Sequence, residues 1–318
     1  MSRDNLQSCR PTSIGGQALI EGVMMKGPKE VAIAVRTPDA GITIKKEPVT
    51  GMTQKLGLNK IPFVRGGIAL IDSMVLGIKS LTYSAELLEE AGKSENDEPD
   101  ALERFLKKIF KDKATDVILY ISVFFALILS IGIFILGPTF LVAYLKKFVE
   151  SRLLLNLVEG IVRLSLFVIY VSLISKLEDM RRVFQYHGAE HKAIYCYEHG
   201  DELTVENTRK YSTLHPRCGT SFLFIVMMVS MILFSMVGWP NLLVRVVSRL
   251  ALLPLVAGIS YEIIRFAGKS TSPIMAAISY PGMMMQRLTT IEPDDSQIEV
   301  AIAALKGVLV ENKEDADW

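Results

Sequence analysis

Four long apolar stretches divide the second half of the chain, and polar segments separate them. Residues 117 to 145 carry no charge over 29 positions, whereas roughly 20 suffice for a spanning helix, and Gly137-Pro138 kinks or ends the regular part. Residues 153 to 175 are apolar apart from Glu159 and Arg163, an i,i+4 pair that neutralises itself. Residues 219 to 244 are uncharged and break at Gly238-Trp239-Pro240, where a Trp suits the far interface. The last stretch has Arg245 and Arg249 near its outer end and Pro254 inside. The pattern predicts spans over about 117–145, 153–175, 219–238 and 241–264, a transmembrane bundle over residues 114–268.

The flanking segments have other periods. From 61 to 91, Phe63, Ile68, Ile71, Val75, Ile78 and Leu81 recur at helical spacing, but Arg65, Asp72 and Lys79 make the run too polar for a lone span. It is predicted to be an amphipathic helix lying on the membrane or packed on the bundle. Residues 92–113 pass from acidic to basic and read as a linker. In residues 1–60, Val31–Arg36 and Ile42–Lys46 flank the turn sequence T-P-D-A-G, which predicts a hairpin. Gly15, Gly16, Gly22 and Gly27 surround Glu21 with the spacing of no known phosphate or dinucleotide loop. They read as a bent strand or loop, or as a ligand cradle. In residues 269–318, Gln286, Glu292 and Asp295 are polar candidates, and Ser296-x-x-Glu299 reads as a capping box. Ile298, Ile302, Leu305 and Leu309 make one apolar stripe, so a C-terminal helix is expected to dock on the cytoplasmic domain ahead of a frayed acidic tail. The fold class is a mainly α membrane protein: a four-helix transmembrane bundle with a small α+β cytoplasmic domain built from the N-terminal segment, the 176–218 loop and the C-terminal helix.

Composition supports this. Half of the 318 residues are hydrophobic, and a formal charge of +1 without a basic run argues against nucleic-acid binding. Cys9, Cys196 and Cys218 form no secreted disulfide framework. The first ten residues have no apolar core and so form no signal peptide, which keeps the N-terminal part cytosolic. Cations flank the same ends of alternate spans: Arg104, Lys107, Lys108, Lys111 and Lys113, then Lys176, Arg181, Arg182 and Lys192, then Arg209, Lys210 and Arg217, then Arg265 and Lys269. The positive-inside rule then predicts a multi-pass protein of the cell membrane, with both termini and the 176–218 loop in the cytoplasm. Glu159, Arg163, Arg245 and Arg249 are either a polar pathway or a structural ion pair with the outer arginines snorkelling; four spans without an internal repeat favour the second.

The 176–218 loop and its edge hold all four histidines. His187 and His191 are four residues apart, so a helix places both imidazoles on one face, and Glu190 falls close to that face. H-x-x-E-H is the inverse of the zincin motif, in which two histidines hold Zn²⁺ and the glutamate is the general base. His215 and Cys218, an H-x-x-C pair, complete the metal candidates, and mixed imidazole and thiolate donors favour zinc over magnesium or calcium. With all four donors bound the site is closed and structural; with three, water takes the fourth position and Glu190 becomes a catalytic base.

The segments G-G-Q-A-L-I-E-G-V-M-M-K-G-P, H-G-A-E-H-K-A-I, H-P-R-C-G-T-S-F and L-T-T-I-E-P-D-D together resemble the YqhQ-like family of bacterial inner-membrane proteins, a domain of unknown function described as predicted metal-dependent enzymes. The resemblance covers nearly the whole chain, and the length suits the Bacillus member. It implies a membrane location and a metal site at His187, Glu190 and His191, and it supplies no substrate. Two functions follow. One is a metal-dependent hydrolase at the cytoplasmic face, acting on peptide or lipid-linked substrates. The other is a non-enzymatic adaptor or chaperone-like scaffold, in which a structural metal staples the loops and helix grooves bind other membrane proteins. The bilayer is a partner in both, and transport rests on the buried charges alone.

Overall fold

The computed structural model describes residues 11–50, 61–92, 114–236, 242–269 and 272–310. The expectations for Cys9, the linker from residue 93 to 113, Gly238-Trp239-Pro240, the Arg245 side chain and the acidic tail lie outside the described residues.

Strands β1 (Gly15–Leu19), β2 (Gly22–Lys26), β3 (Glu30–Arg36) and β4 (Ile42–Pro48) form an antiparallel meander in chain order. The predicted hairpin is β3–β4, with Val31 opposite Glu47 and Val35 opposite Thr43. The glycine-rich stretch is a second hairpin, turned at Glu21 with φ of 51°. Its acid is paired within the fold: Arg182 donates to Glu21 at 2.5 and 2.6 Å, and the Tyr186 hydroxyl at 3.1 Å. In β2 and β3 both faces are buried, so their apolar residues run on without the alternation that marks a half-exposed strand.

Helices cover both faces of this sheet. Val23, Met25, Ala32 and Ala34 pack against α5 (Glu178–Glu198) and α10 (Asp295–Val308), through Tyr186, Ala189 and Ala193 of the first and Ile298, Ala301 and Leu305 of the second. The C-terminal stripe is thus buried as expected, with Leu309 partly buried at its end. Its capping box lies two residues earlier than the sequence suggests. Asp294 accepts from the Gln297 N–H at 2.9 Å and Gln297 returns a bond to the Asp294 N–H at 3.0 Å, while Glu299 pairs with Arg36. On the other face, Leu19, Met24, Val31, Ile33 and Val35 meet Leu76, Leu81, Tyr83, Leu87 and Leu88 of α1 (Val64–Gly92).

Five helices among the described residues, rather than the expected four, are long and apolar enough to cross a membrane: Val64–Ala91, Ile121–Leu145, Leu154–Ile174, Gly219–Met236 and Val246–Ala267. The addition is α1. Its polarity is partly cancelled, because Arg65 makes two bonds to Glu262 at 2.6 and 2.5 Å, and its apolar residues outweigh Asp72 and Lys79. The first half of α1 leans on α8 (Leu242–Lys269) and its second half on the sheet, so one helix joins the two regions.

The first expected span is continuous through α2 (Ala114–Ile131), a π-helical turn (Gly132–Leu136) and α3 (Gly137–Leu145), so Gly137-Pro138 does not end it. Pro138 has no N–H to offer the Phe134 carbonyl, and Arg163 donates its Nε there at 3.0 Å instead. Arg163 lies on α4 (Arg152–Ile174), which Ser151 caps. α7 (Gly219–Met236) packs on α8 through Ile225, Val229, Phe234 and Val256. The sequence reading missed α9 (Pro273–Thr289), whose Pro281-Gly282 reads as a breaker; Gly282 there packs against Ser221 of α7.

Glu159, 3% exposed, sits at the middle of the bundle. It pairs with Arg163 at 3.2 Å as expected, but the closer partner is Arg249 of α8, which is 4% exposed and grips both carboxylate oxygens. Arg249 therefore does not snorkel. Thr139 accepts from Arg249 at 2.6 Å and donates to the Ile135 carbonyl at 2.7 Å, which closes the group.

Candidate metal centre

The α5 helix brings His187, Glu190 and His191 to one face, and its second half is almost entirely buried. Each histidine ring is fixed by a carbonyl. His187 Nδ1 donates to Thr289 at 2.8 Å and His191 Nδ1 donates to Thr213 at 2.5 Å. A carbonyl only accepts, so the proton of each neutral ring is on Nδ1 and the Nε2 lone pair is turned inward. Cys218, next to the start of α7, puts its Sγ 3.1 Å from His187 Nε2. The donor atoms of His187, His191 and Cys218 all lie within 4.8 Å of one another. Tetrahedral zinc with nitrogen and sulfur ligands needs donors about 3.5 Å apart, so the set fits with small adjustments. Burial opposes ionisation of the Cys218 thiol, yet His187 and His191 outweigh it and hold the thiol well below its usual range, toward the thiolate that binds metals. For His187, burial works against the charge, but Cys218 and Glu190 push it up to about 9, so without a metal its Nε2–H donates to the Cys218 thiolate, and a bound metal would replace that proton.

Glu190 is buried beside this group, and burial holds its carboxyl above the usual range against the pull of His191 and His187. The Gly16 N–H hydrogen-bonds the carboxylate. A Cβ at residue 16 would come within 3.0 Å of Glu190 Cδ and 2.5 Å of the Met24 carbonyl, so the approach needs glycine. Gly188 allows the same closeness on the opposite side, where a Cβ would lie 2.2 Å from the Ile291 carbonyl. The chain that carries the Thr289 carbonyl can therefore press against the helix.

His215 is outside the three-residue group. Its ring is 5.5 Å from that of His191, but its Nε2 faces Glu198, 3.6 Å from Oε2. Arg217 pairs with the same carboxylate, and Thr12 donates to it from N at 2.8 Å and Oγ1 at 3.1 Å. Burial raises Glu198, but His215 and Arg217 overcome this and bring it down to about 2. Burial brings His215 down to about 4. Of the H-x-x-C pair, then, the cysteine joins the cluster, and the histidine, held neutral by burial, faces the Glu198 carboxylate that pairs with Arg217.

Several supporting residues carried no motif. Gln286 is fully buried and clamps the His215 backbone, accepting from its N–H at 2.8 Å and donating to its carbonyl at 2.7 Å, with a further bond to Ser221 at 3.0 Å. It thereby fixes the segment leading to Cys218. Glu198 follows His191 by seven residues on the same face of α5, and that spacing was the available signal. Of the other acidic candidates, Glu292 pairs with Lys192 at 2.6 Å and Asp295 with Arg209 at the surface.

A family model described as "Protein of unknown function (DUF1385)" matches residues 61–311. The chain is 36% identical over 304 residues to "Uncharacterized protein YqhQ" of Bacillus subtilis (strain 168), covering 94% of this chain and 93% of that one. No solved structure matches significantly. The chain belongs to the DUF1385 family, and the matched span contains His187, Glu190, His191 and Cys218.

Proposed function

We propose that the protein is a multi-pass membrane hydrolase with a zinc site at the cytoplasmic face, held by His187, His191 and Cys218, and with Glu190 as general base. The observation that carries this reading is the convergence of three donors, with a buried carboxylate beside them and His215 committed to Glu198. Two imidazoles and a thiolate favour zinc over the hard cations. A zinc ion bound there supplies Lewis acidity and an activated water. Glu190, held by Gly16, would take the proton of such a water and return it to the leaving group, roles that suit a carboxyl which burial holds above the usual range. Thr213 and Thr289 keep the imidazoles in the ligating tautomer. The cations flanking the cluster support a cytoplasmic position for it and for both termini. A C-terminal reporter active only outside the cell overturns that orientation.

A second reading has its own observation. The donors and their props come from α5, the segment before α7 and the end of α9, so a metal would also staple the cytoplasmic layer to the bundle of a scaffold for other membrane proteins. Glu190→Gln separates the two. In the hydrolase it keeps zinc and loses about 10²- to 10⁴-fold in activity, read as failed complementation of a deletion phenotype. In the scaffold the same protein complements fully.

A further inference from the structure

A cavity of about 650 Å³ opens beside the cluster, between α1, the start of α7 and the end of α8. We propose that it holds one hydrocarbon chain of a membrane lipid, with the lipid's polar linkage directed at Cys218 and its neighbours. The inference takes the metal site as the destination of that polar end, and so rests on the preceding reading for that point alone.

The size lies within the range of ordinary ligand sites, roughly 300–1,000 Å³. The walls select the chemistry. Leu70, Met74 and Ile78 of α1 face Phe222 and Leu223 of α7 and Ile264 of α8. All three helices are apolar enough to enter a membrane, so the cavity is cut between elements that meet hydrocarbon on their outer sides. Met74, Ile78 and Leu223 are 58, 45 and 45% exposed, and Ile71 and Val75 of the same helix are 48 and 53% exposed. An apolar rim continuous with an apolar outer surface is costly in water and matched by a bilayer, so the entry is lateral. Of the polar lining, Arg217 is already paired with Glu198, and most of the remaining wall is hydrocarbon.

The polar groups gather at the inner end. Cys218 lines the cavity and is also a donor of the cluster. Gln17 lines it from β1, its amide set against Gly77 of α1, and the preceding residue, Gly16, holds Glu190. Tyr261 and Ser73 supply further hydroxyls on the wall. A lipid sliding in sideways between α1 and α7, its chain along the apolar walls, would thus leave its linkage at the polar end, between the Gln17 amide and the metal donors.

The test uses the full chain in nanodiscs of phosphatidylethanolamine and phosphatidylglycerol, doped with a phosphatidylglycerol that carries a photoreactive diazirine on one acyl chain. Labelling of Phe222 and Tyr261 is expected in the native protein. Ala69→Trp and Ser73→Trp fill the cavity and should reduce it about tenfold, the equivalent of roughly two buried methylenes displaced. Labelling of Phe124 and Phe125 on the outer face of the first span should stay unchanged and reports an intact fold in the bilayer; Ala69→Phe repeats the test with less added volume. Zinc measured on the same samples keeps the two proposals apart. Lost labelling with retained zinc supports the cavity assignment, whereas retained labelling without zinc in the native protein overturns the metal reading only. Equal labelling of Phe222 and Tyr261 in native and filled variants overturns the lipid assignment, as does a co-purified hydrophobic peptide, in place of lipid, in native mass spectrometry.

Discussion

Two of the buried polar clusters among the described residues are built on opposite principles. In the bundle, Glu159 meets Arg249, Arg163 and Thr139 so that each acceptor faces a proton donor. In the layer around the sheet, His187, His191 and Cys218 turn their ligand atoms toward one another, while the two histidines donate outward from Nδ1 to the Thr289 and Thr213 carbonyls. A cluster that satisfies itself holds helices together and needs nothing more. A cluster of converging ligand atoms needs a positive charge between them, supplied by the proton that His187 shares with Cys218 or by a metal that displaces it. The same contrast separates His215 from its neighbours, since Glu198 and Arg217 draw it into a group of the first kind.

The comparison can be broken most severely at the donors. His191→Ala or Cys218→Ser should bring bound zinc in the purified protein from about one equivalent to near zero, because two remaining ligands do not hold it. Zinc per folded molecule should be untouched by changes at Glu159 or Arg249. The bundle cluster comes next: Glu159→Gln leaves two arginines facing each other in an apolar setting and should cost about 3 to 5 kcal/mol, read as folded yield in detergent. Replacing Glu159, Arg163 and Arg249 together by neutral residues should recover most of that yield. If the single and triple variants fold equally well, the cluster is solvated and not closed.

A smaller effect tests Glu198 through pH. Its carboxyl is held at about 2 against an ordinary value of 4.5, so it adds stability above pH 4.5 that disappears as pH falls through 4.5 toward 2. Glu198→Gln should lower the melting temperature at pH 7, by the equivalent of about 2 to 3 kcal/mol, and the gap should narrow by pH 3. A gap independent of pH would place its contribution in packing. Least affected is Asp294→Ala, which removes a cap from α10 and should cost about 1 kcal/mol with zinc content unchanged.

The sequence showed these regions unequally, for physical reasons. Long apolar runs have few alternatives, so 117–145, 153–175, 219–238 and 241–264 correspond to helices within a few residues. The α1 segment was harder, because the contact between Arg65 and Glu262 that offsets its polarity spans nearly 200 positions. β1 and β2 were blurred by glycines, β2 also by burial on both faces, and α9 was hidden by its internal proline. At the site, the helical spacing of His187, Glu190 and His191 was legible because it is local. That Cys218 joins them and His215 does not was settled by Gln286 and Glu198, partners that no spacing rule connects.

If the cluster holds a metal, the order of the chain ties its affinity to biogenesis. His187 and His191 emerge after the second expected span, Cys218 just before the third, and the Thr289 carbonyl and Gln286 clamp only after the fourth. A nascent chain stopped before α9 would already hold every donor, yet it would lack the groups that aim two of them, and second-shell losses of this kind typically weaken metal affinity about 10- to 100-fold. Full affinity therefore arrives only when the whole bundle has been threaded and its last helix has folded back, so metal occupancy would act as a checkpoint on completed membrane insertion.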